Sequence, residues 1–160
     1  MLWPSGKNVS IGIWDTAGSE KYHSIGKIYY RNAYAAIVCF DINDTDSLKQ
    51  VPFWINELQS IRKTAKIYIC GCKSDLTDNI ADEAKKKVGA SNKLNEMAEL
   101  YGAKLHETSA KTGQNIEKLF GEIASDYLED PSSTLTSFQI SADGEREKTI
   151  KICCYSYDYF

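Results

Sequence analysis

A carboxylate near the start of the chain stands in a segment that could bind a metal ion and a phosphate. Asp15 ends an apolar alternating run and is followed by Thr16, Ala17 and Gly18. A carboxylate at a strand end can hold Mg²⁺ directly or through water, and a glycine beyond it lets a backbone N–H approach a phosphate oxygen without a Cβ in the way. Because Asp and Thr are common helix caps, this motif taken alone is better explained by capping.

Two further segments could bind a flat heterocyclic ring. In the segment GCKSDL, Asp75 can accept hydrogen bonds from two adjacent N–H donors of a base edge, and the aliphatic stem of Lys73 can lie across the ring. Ser109, Ala110 and Lys111 offer a backbone N–H for a base carbonyl. Ser, Asp and Gly also favour turns for local reasons, so each segment on its own is more often structural.

The apolar patterns place these segments after strands. Residues 9–14 alternate between apolar and other side chains, which predicts a strand covered mainly on one face. Residues 35–42 and 66–72 are continuous apolar runs, which are typical of strands buried on both faces of a parallel sheet. A weaker strand is predicted from Ala103.

Helical spacing alternates with the predicted strands. Apolar faces recur over residues 48–61, 94–101 and 116–127, and Gly102 is suited to end the second helix. The first helix can be capped from within residues 44–46. Strand and helix in alternation predict a doubly wound α/β sheet, in which ligands bind at the carboxyl ends of the strands.

Length and composition bound the class of protein. The chain has 160 residues, a net charge of −3 and 42% hydrophobic residues, which fit one soluble domain over residues 1–128. Residues 129–160 lose periodicity and are rich in Ser, Thr and acidic residues, which predicts a flexible C-terminal tail. The charge gives no general basic field, so nucleic acid is not expected as a partner. Five cysteines, an odd number, and no apparent leader favour a reducing, cytoplasmic compartment.

The joint order of four segments resembles the Ras superfamily of small GTPases, and most of all its Rab family. These segments are WDTAGSEKY, YYRNAYAAIVCFDI, GCKSDL and ETSAKTG, and the resemblance covers residues 8–128. It implies a fold of the P-loop NTPase type, GTP or GDP with Mg²⁺ as ligands, and a molecular switch that hydrolyses GTP.

The resemblance also implies roles for individual residues. Asp15 matches the magnesium-associated aspartate, and Gly18 matches the glycine whose N–H meets the γ-phosphate. The guanine-binding positions are matched by Cys72, Lys73, Asp75, Ser109, Ala110 and Lys111. Residues 19–32, Ser19 to Asn32, correspond to the second switch, which Rab effectors and regulators contact.

Four side chains would form the apolar surface of that switch, namely Tyr22, Ile25, Tyr29 and Tyr30. Packing in the core is an equal alternative for Ile25 and Tyr29.

The largest departure from the family pattern lies upstream. The sequence contains no G-x-x-x-x-G-K-S/T phosphate loop, and the resemblance implies about 60 further residues before the first predicted strand. Those residues would carry the first strand, the phosphate loop, the first helix and the first switch. In the family layout the first strand lies between the strand ending at Asp15 and the strand containing Val38. We therefore expect a truncated chain whose two flanking strands expose unpaired groups or pair with each other.

Two single residues also depart from the family. Ser19 stands where most members carry the glutamine that orients the attacking water, so we expect slow hydrolysis. Cys72 replaces the usual asparagine, and a thiol is a poorer hydrogen-bond partner than an amide, so guanine affinity is expected to be weaker. With the segment AAIVCFDI, these departures resemble a divergent branch of the family called Rab twenty-four, which implies autophagy and late endocytic traffic.

The C-terminal cysteines suggest a membrane anchor. Cys153 and Cys154 resemble the paired cysteines that receive geranylgeranyl groups in Rabs, and two such chains allow stable anchoring. This implies peripheral attachment to endosomal or autophagic vesicles. Free surface thiols are an equal alternative, because six residues follow the pair.

Two other hypotheses stay open at this point. The chain could be a truncated interaction module that binds no nucleotide and competes for Rab regulators through residues 22–32 or its tail. A zinc site from Cys70, Cys72, His23 and His106 is disfavoured, because their spacing matches no regular zinc pattern.

Overall fold

The computed structural model describes residues 9–17, 30–76, 83–131, 138–140 and 146–156. This part of the chain contains six strands and three α-helices. In chain order they are β1 Val9–Ala17, β2 Ala35–Asp41, α1 Thr45–Ile61, β3 Lys66–Cys72, α2 Glu83–Tyr101, β4 Lys104–Glu107, α3 Ile116–Glu129, β5 Phe138–Ile140 and β6 Arg146–Ser156. Strand and helix alternate from β2 to α3. A short 3₁₀ turn, Ser74–Leu76, follows β3.

The strands form one sheet in the order β1-β6-β2-β3-β4, with β5 paired antiparallel to β6 and all other pairs parallel. On one face, Leu58 of α1 and Met97 of α2 pack in one cluster with Val38. On the other face, Ile123 of α3 packs in a second cluster with Ile37. The doubly wound sheet of the small-GTPase type, predicted from the alternation of elements and from the resemblance, is confirmed.

The strand between β1 and β2 is β6. Ile13 of β1 is the register partner of Ile152, and Ile37 of β2 is the register partner of Cys154. The family resemblance predicts the family's first strand at this position, and the composition predicts a flexible C-terminal tail over residues 129–160. The structure differs because Ile150 and Ile152 point to one face and are both fully buried. Two isoleucines at strand spacing give β6 an apolar face, and that face is buried between β1 and β2.

Helix ends follow the predicted local signals. Asp44 caps α1, since its Oδ1 accepts a 2.9 Å hydrogen bond from the N–H of Asp46. Gly102 follows α2 with a φ of +60°, and the next N–H, of Ala103, donates to the carbonyl of Ala98 at 2.8 Å. This is the left-handed helix ending that glycine allows at low cost.

The carboxylate of Asp126 ties α3 to the sheet. Its Oδ2 accepts from the Tyr68 hydroxyl at 2.5 Å and lies 2.8 Å from Nζ of Lys104. The Asp126 carbonyl accepts from the Tyr34 hydroxyl at 2.8 Å. Burial raises the pKa of Asp126, but the hydrogen bonds from Lys104 and Tyr68 outweigh it, so the pKa lies below its usual value. These bonds set the position of α3 over the sheet.

Candidate functional site

The loops after β3 and β4 meet at the carboxyl edge of the sheet. Ser109 Oγ donates to Asp75 Oδ1 at 2.5 Å, and Nζ of Lys111 lies 3.8 Å from Asp75 Oδ2. The backbones are also joined, because the N–H of Ser74 donates to the carbonyl of Thr108 at 3.1 Å. The structure therefore brings together the two segments that the sequence proposed as ring-binding.

The Asp75 carboxylate is ionised in this setting. The hydrogen bond from Ser109 lowers the pKa of Asp75, and the charge of Lys111 adds to the effect. Ser109 is fully buried, and its Oγ also accepts from the N–H of Thr112 at 3.2 Å. Gly113, with a φ of +79°, turns the loop so that its N–H donates to the Ser109 carbonyl at 2.9 Å. The carboxylate is thus held by a rigid loop rather than by a free side chain.

Lys73 forms the rim of the same site. Its backbone has a φ of 61°, and its Nζ lies 2.7 Å from Asp41 Oδ2 at the end of β2. Burial raises the pKa of Asp41, but hydrogen bonds from Lys73 and Asn43 outweigh it and hold the pKa below its usual value. The ion pair directs the exposed Lys73 stem along the edge of the sheet, where an aliphatic surface can contact a flat ring.

These side chains border a pocket of about 550 Å³. Its border includes the charged residues Lys73, Asp75 and Lys111 together with Ala110, and its wall on the α3 side includes Leu119 and Phe120. Its floor is formed by Ile37, Cys39, Cys70, Cys72 and Cys154 of the strands. A largely apolar pocket with one oriented carboxylate at its rim is suited to a planar ring that carries adjacent N–H donors.

Cys72 lies between the rim and the floor. It is half-buried, and its Sγ approaches the carbonyl oxygen of Cys70 at 3.8 Å. Hydrogen bonds from the thiols of Cys39 and Cys70 lower the pKa of Cys72. The sulfur of Cys72 therefore interacts with its neighbours in the sheet, and Asp75 and Ser109 make the contacts between the loops.

The sequence pattern predicts that Asp15 ends its strand. This prediction is wrong, because Asp15 lies two residues before the end of β1. Strand β1 continues to Ala17, because Tyr155 and Ser156 of β6 supply pairing partners for Thr16 and Ala17. The Asp15 side chain is exposed, and its register partner is Cys154. Burial, together with the Asp15 carboxylate, raises the pKa of Cys154 to about 12. Gly18 and Ser19 lie outside the described residues.

A model of the Ras family matches residues 3–129, most of the chain. This chain belongs to the Ras family. The Ras-related protein Rab-24 of Dictyostelium discoideum is 35% identical over 152 residues, 91% of this chain and 73% of that protein. The Ras-related protein Rab-21 of Homo sapiens is 40% identical over 124 residues, 78% of this chain. The Rab-5A protein of Dictyostelium discoideum is 38% identical over 150 residues and is covered over 71% of its length.

The comparisons confirm the Rab-type resemblance, including the resemblance to Rab-24. This Ras-family chain covers 52% of human Rab-21, and so spans about half the length of that relative. The activity, ligands and partners of a whole Rab protein are therefore proposals for this chain.

The second-switch segment of this Ras-family chain is described only at its end. Residues 19–29 lie outside the described part, including Tyr22, Ile25 and Tyr29. Tyr30 is 2% exposed and belongs to the core cluster on the α1 side, with Ala33 and Val38. Tyr30 is therefore a core residue, whereas the sequence analysis placed it on an apolar surface for effectors. Arg31 and Asn32 are exposed.

The cysteine pair considered for lipidation lies in β6. Cys153 is 1% exposed and packs in the cluster on the α1 side, whereas Cys154 is half-buried on the α3 side. Transfer of a prenyl group to either sulfur would require β6 to leave the sheet. Nor is Cys153 a free surface thiol in this arrangement, and burial raises its pKa to about 11. Among the described helices of this Ras-family chain, none is long and apolar enough to cross a bilayer.

The cysteines on the sheet make a group that sequence reasoning missed. The analysis paired Cys70 and Cys72 with two histidines, but His106 Nε2 lies 3.2 Å from Glu122 Oε2, and His23 is outside the described residues. The partner of Cys70 and Cys72 is instead Cys39. Only the register of β2 against β3 reveals this, because Cys39 is the register partner of Cys70.

Proposed function

We propose that this chain carries the base-binding half of a Rab-type guanine-nucleotide switch. The observation that supports the proposal is the Asp75 carboxylate, held by Ser109 and faced by Lys111 at the rim of an apolar pocket. One oxygen of this carboxylate is oriented by Ser109, and the second remains directed to the same edge. Guanine presents an N–H and an exocyclic NH₂ side by side, which such a carboxylate can accept together.

The remaining contacts follow from the same geometry. The stem of Lys73 can cover one face of the base, and the exposed Ala110 lies where its N–H can meet the base carbonyl. Adenine has a ring nitrogen that accepts and an amine that donates, so it would leave the Asp75 carboxylate facing an acceptor. Discrimination against adenine therefore comes from an unpaired and repelled charge as well as from lost bonds.

The phosphates and their magnesium ion require further groups. Asp15 is exposed and carries the hard oxygen donors that Mg²⁺ prefers, so it fits a role in which phosphate oxygens and water supply the other ligands. Magnesium bound there would neutralise phosphate charge. Gly18 would offer its N–H to the γ-phosphate. With Ser19 in place of a water-orienting glutamine, hydrolysis of GTP would be slow.

The cellular role belongs to the same proposal. A Rab-type switch acts in vesicle traffic by presenting its second-switch segment, residues 19–32, to effectors and regulators when GTP is bound. We assign this chain to autophagic or endosomal traffic on the basis of its similarity to Rab-24, with peripheral attachment to the vesicle membrane. Lipidation at Cys153 and Cys154 would belong to a state in which β6 is released.

Thermal unfolding of the full chain with added nucleotide tests the proposal. GDP with Mg²⁺ should raise the melting temperature in a concentration-dependent way, because a ligand of the native state stabilises it by mass action. ADP with Mg²⁺ is the matched control and should give no shift at the same concentration. Equal shifts with GDP and ADP, or no shift with either GDP or GTP, would overturn the assignment and leave an interaction module that binds no nucleotide.

A further inference from the structure

Three cysteines converge on the floor of the pocket. Cys39 of β2 is the register partner of Cys70 of β3, and Cys72 lies two residues further along the same face of β3. Their three sulfur atoms lie within 4.8 Å of one another. Among the residues that the structure describes, this is the one place where three or more His, Cys, Asp or Glu side chains bring their ligand atoms this close together.

We propose that Cys39, Cys70 and Cys72 bind a thiophilic metal ion, Zn²⁺ or Cu⁺. Thiolates are the ligands that select these two ions in proteins. A zinc–sulfur bond is about 2.3 Å long, so two sulfurs on one tetrahedral ion lie about 3.8 Å apart. Small side-chain rotations that move each sulfur atom by less than about an ångström would bring the three sulfurs from their present separations to that distance.

The surroundings favour an ion over three independent thiols. All three cysteines line the pocket, so the site has an entry path from solvent. The hydroxyl of Thr108 lies 3.2 Å from the Cys70 sulfur and can fix its orientation, as an outer hydrogen bond commonly does for a metal ligand.

The number of ligands separates the two ions. Cys154 lies on the same face of the sheet and lines the same pocket, but its sulfur does not belong to the cluster of three, so water is the fourth ligand of a zinc ion here. Four ligands, or three with a water, suit Zn²⁺. Three sulfurs alone suit trigonal Cu⁺. The site joins β2 to β3 and does not depend on the proposed nucleotide function.

Titration of the reduced, metal-free full chain with Co²⁺ tests the proposal directly. Cobalt is a coloured substitute for zinc, and thiolate coordination produces an intense charge-transfer absorption that carboxylates and histidines do not give. We expect this band to saturate at one ion per chain and the ion to raise the melting temperature. Absence of the band in the folded wild-type chain would overturn the proposal, whatever the outcome of the nucleotide experiment.

Two variants, each with one cysteine replaced, give the matched comparison. Cys72→Ser removes a proposed ligand at the half-buried end of the cluster, whereas Cys153→Ala removes a cysteine that packs on the opposite face of the sheet. Cobalt affinity should fall by more than about tenfold in Cys72→Ser and stay unchanged in Cys153→Ala. Equal affinity in Cys72→Ser and wild type would contradict the assignment. Circular dichroism of the metal-free variants verifies that each is folded.

Displacement of the bound cobalt then identifies the natural ion. Zn²⁺ and Cu⁺ are each added to the cobalt-loaded chain under reducing conditions, with a chelator that fixes the free-ion concentration. Displacement by Zn²⁺ at a lower free concentration supports the four-coordinate site with water as the fourth ligand. Displacement by Cu⁺ at the lower concentration supports the three-coordinate site. Failure of both ions to displace cobalt would overturn the proposal.

Discussion

The hydroxyl of Ser109 donates a 2.5 Å hydrogen bond to Oδ1 of Asp75, although 34 residues separate them in the chain. The bond crosses from the loop after β4 to the 3₁₀ turn after β3. It fixes the plane of the carboxylate before any ligand arrives. A pre-oriented carboxylate loses less side-chain entropy on binding than a free one, so its interaction with a base is stronger.

Substitution of Asp75 by asparagine should change the base preference of the pocket. Asp75→Asn replaces two acceptor oxygens by one acceptor and one donor, and so suits xanthine, which carries a carbonyl where guanine carries its NH₂. We expect GDP affinity to fall by about ten- to a hundredfold and xanthosine diphosphate to bind better than to the wild type. Equilibrium dialysis with both nucleotides measures this. Unchanged GDP affinity would mean that Asp75 does not contact the base.

Shortening the Ile152 side chain tests the position of β6 between β1 and β2. Ile152 is fully buried between β1 and β2, so Ile152→Ala should lower the free energy of unfolding by about 2–5 kcal/mol. The neighbouring Lys151 faces the other way, with its Nζ 5.6 Å from the centre of the Trp14 ring. Lys151→Ala should therefore cost no more than about 1 kcal/mol. Urea unfolding compares the two variants, and equal small effects would show that β6 is not part of the sheet.

Removal of the Asp126 carboxylate should loosen α3. Asp126→Ala leaves the buried Tyr68 hydroxyl without its acceptor and Lys104 without one of its two carboxylates. We expect a loss of about 2–3 kcal/mol in the free energy of unfolding. The adjacent Ser125 is exposed, and its hydroxyl donates to Glu129 at the helix surface, so Ser125→Ala should change stability by less than about 0.5 kcal/mol. Similar losses in both variants would contradict this role.

The buried imidazole of His106 should make stability depend on pH. Burial lowers the pKa of His106, and the positive charges of Lys118 and Lys104 lower it further. The negative charge of Glu122 raises the pKa and offsets these effects only in part. The unfolded chain, with an ordinary histidine pKa of about 6.5, therefore binds the proton better than the folded chain. The contribution of His106 to stability is full above that pH and is lost as the pH falls below it, through the folded pKa. Urea midpoints measured across this range should flatten in His106→Gln, and an identical pH profile in that variant would refute the assignment.

Much of the site could be predicted because its residues follow strands with strong patterns. The continuous apolar runs of β2 and β3 mark buried parallel strands, and parallel strands end at one edge. Asp75 and Lys111 therefore had to lie near each other, although the Ser109 bond that orients Asp75 was not foreseen. The end of α2 was predictable for a local reason, because Gly102 adopts the left-handed conformation.

Other features depend on pairing between distant segments and left no local signal. In the sequence, β6 shows only two buried isoleucines within a polar stretch. Its role becomes clear only from its pairing with β1 on one side and with β2 on the other. The same strand carries β1 past Asp15 and buries Cys153. The cluster of Cys39 with Cys70 and Cys72 depends on strand register, and the burial of Tyr30 depends on the core cluster on the α1 side, which brings together several elements.

The strand between β1 and β2 is the last described element along the chain. During synthesis, β1 and β2 emerge from the ribosome long before residues 146–156 exist, and until then their facing edges have nothing to pair with. Pairing of Ile13 with Ile152 joins residues that lie far apart in the chain, and such non-local contacts form slowly. The facing edges of β1 and β2 are therefore open to pairing with other chains in the nascent protein until β6 has been made.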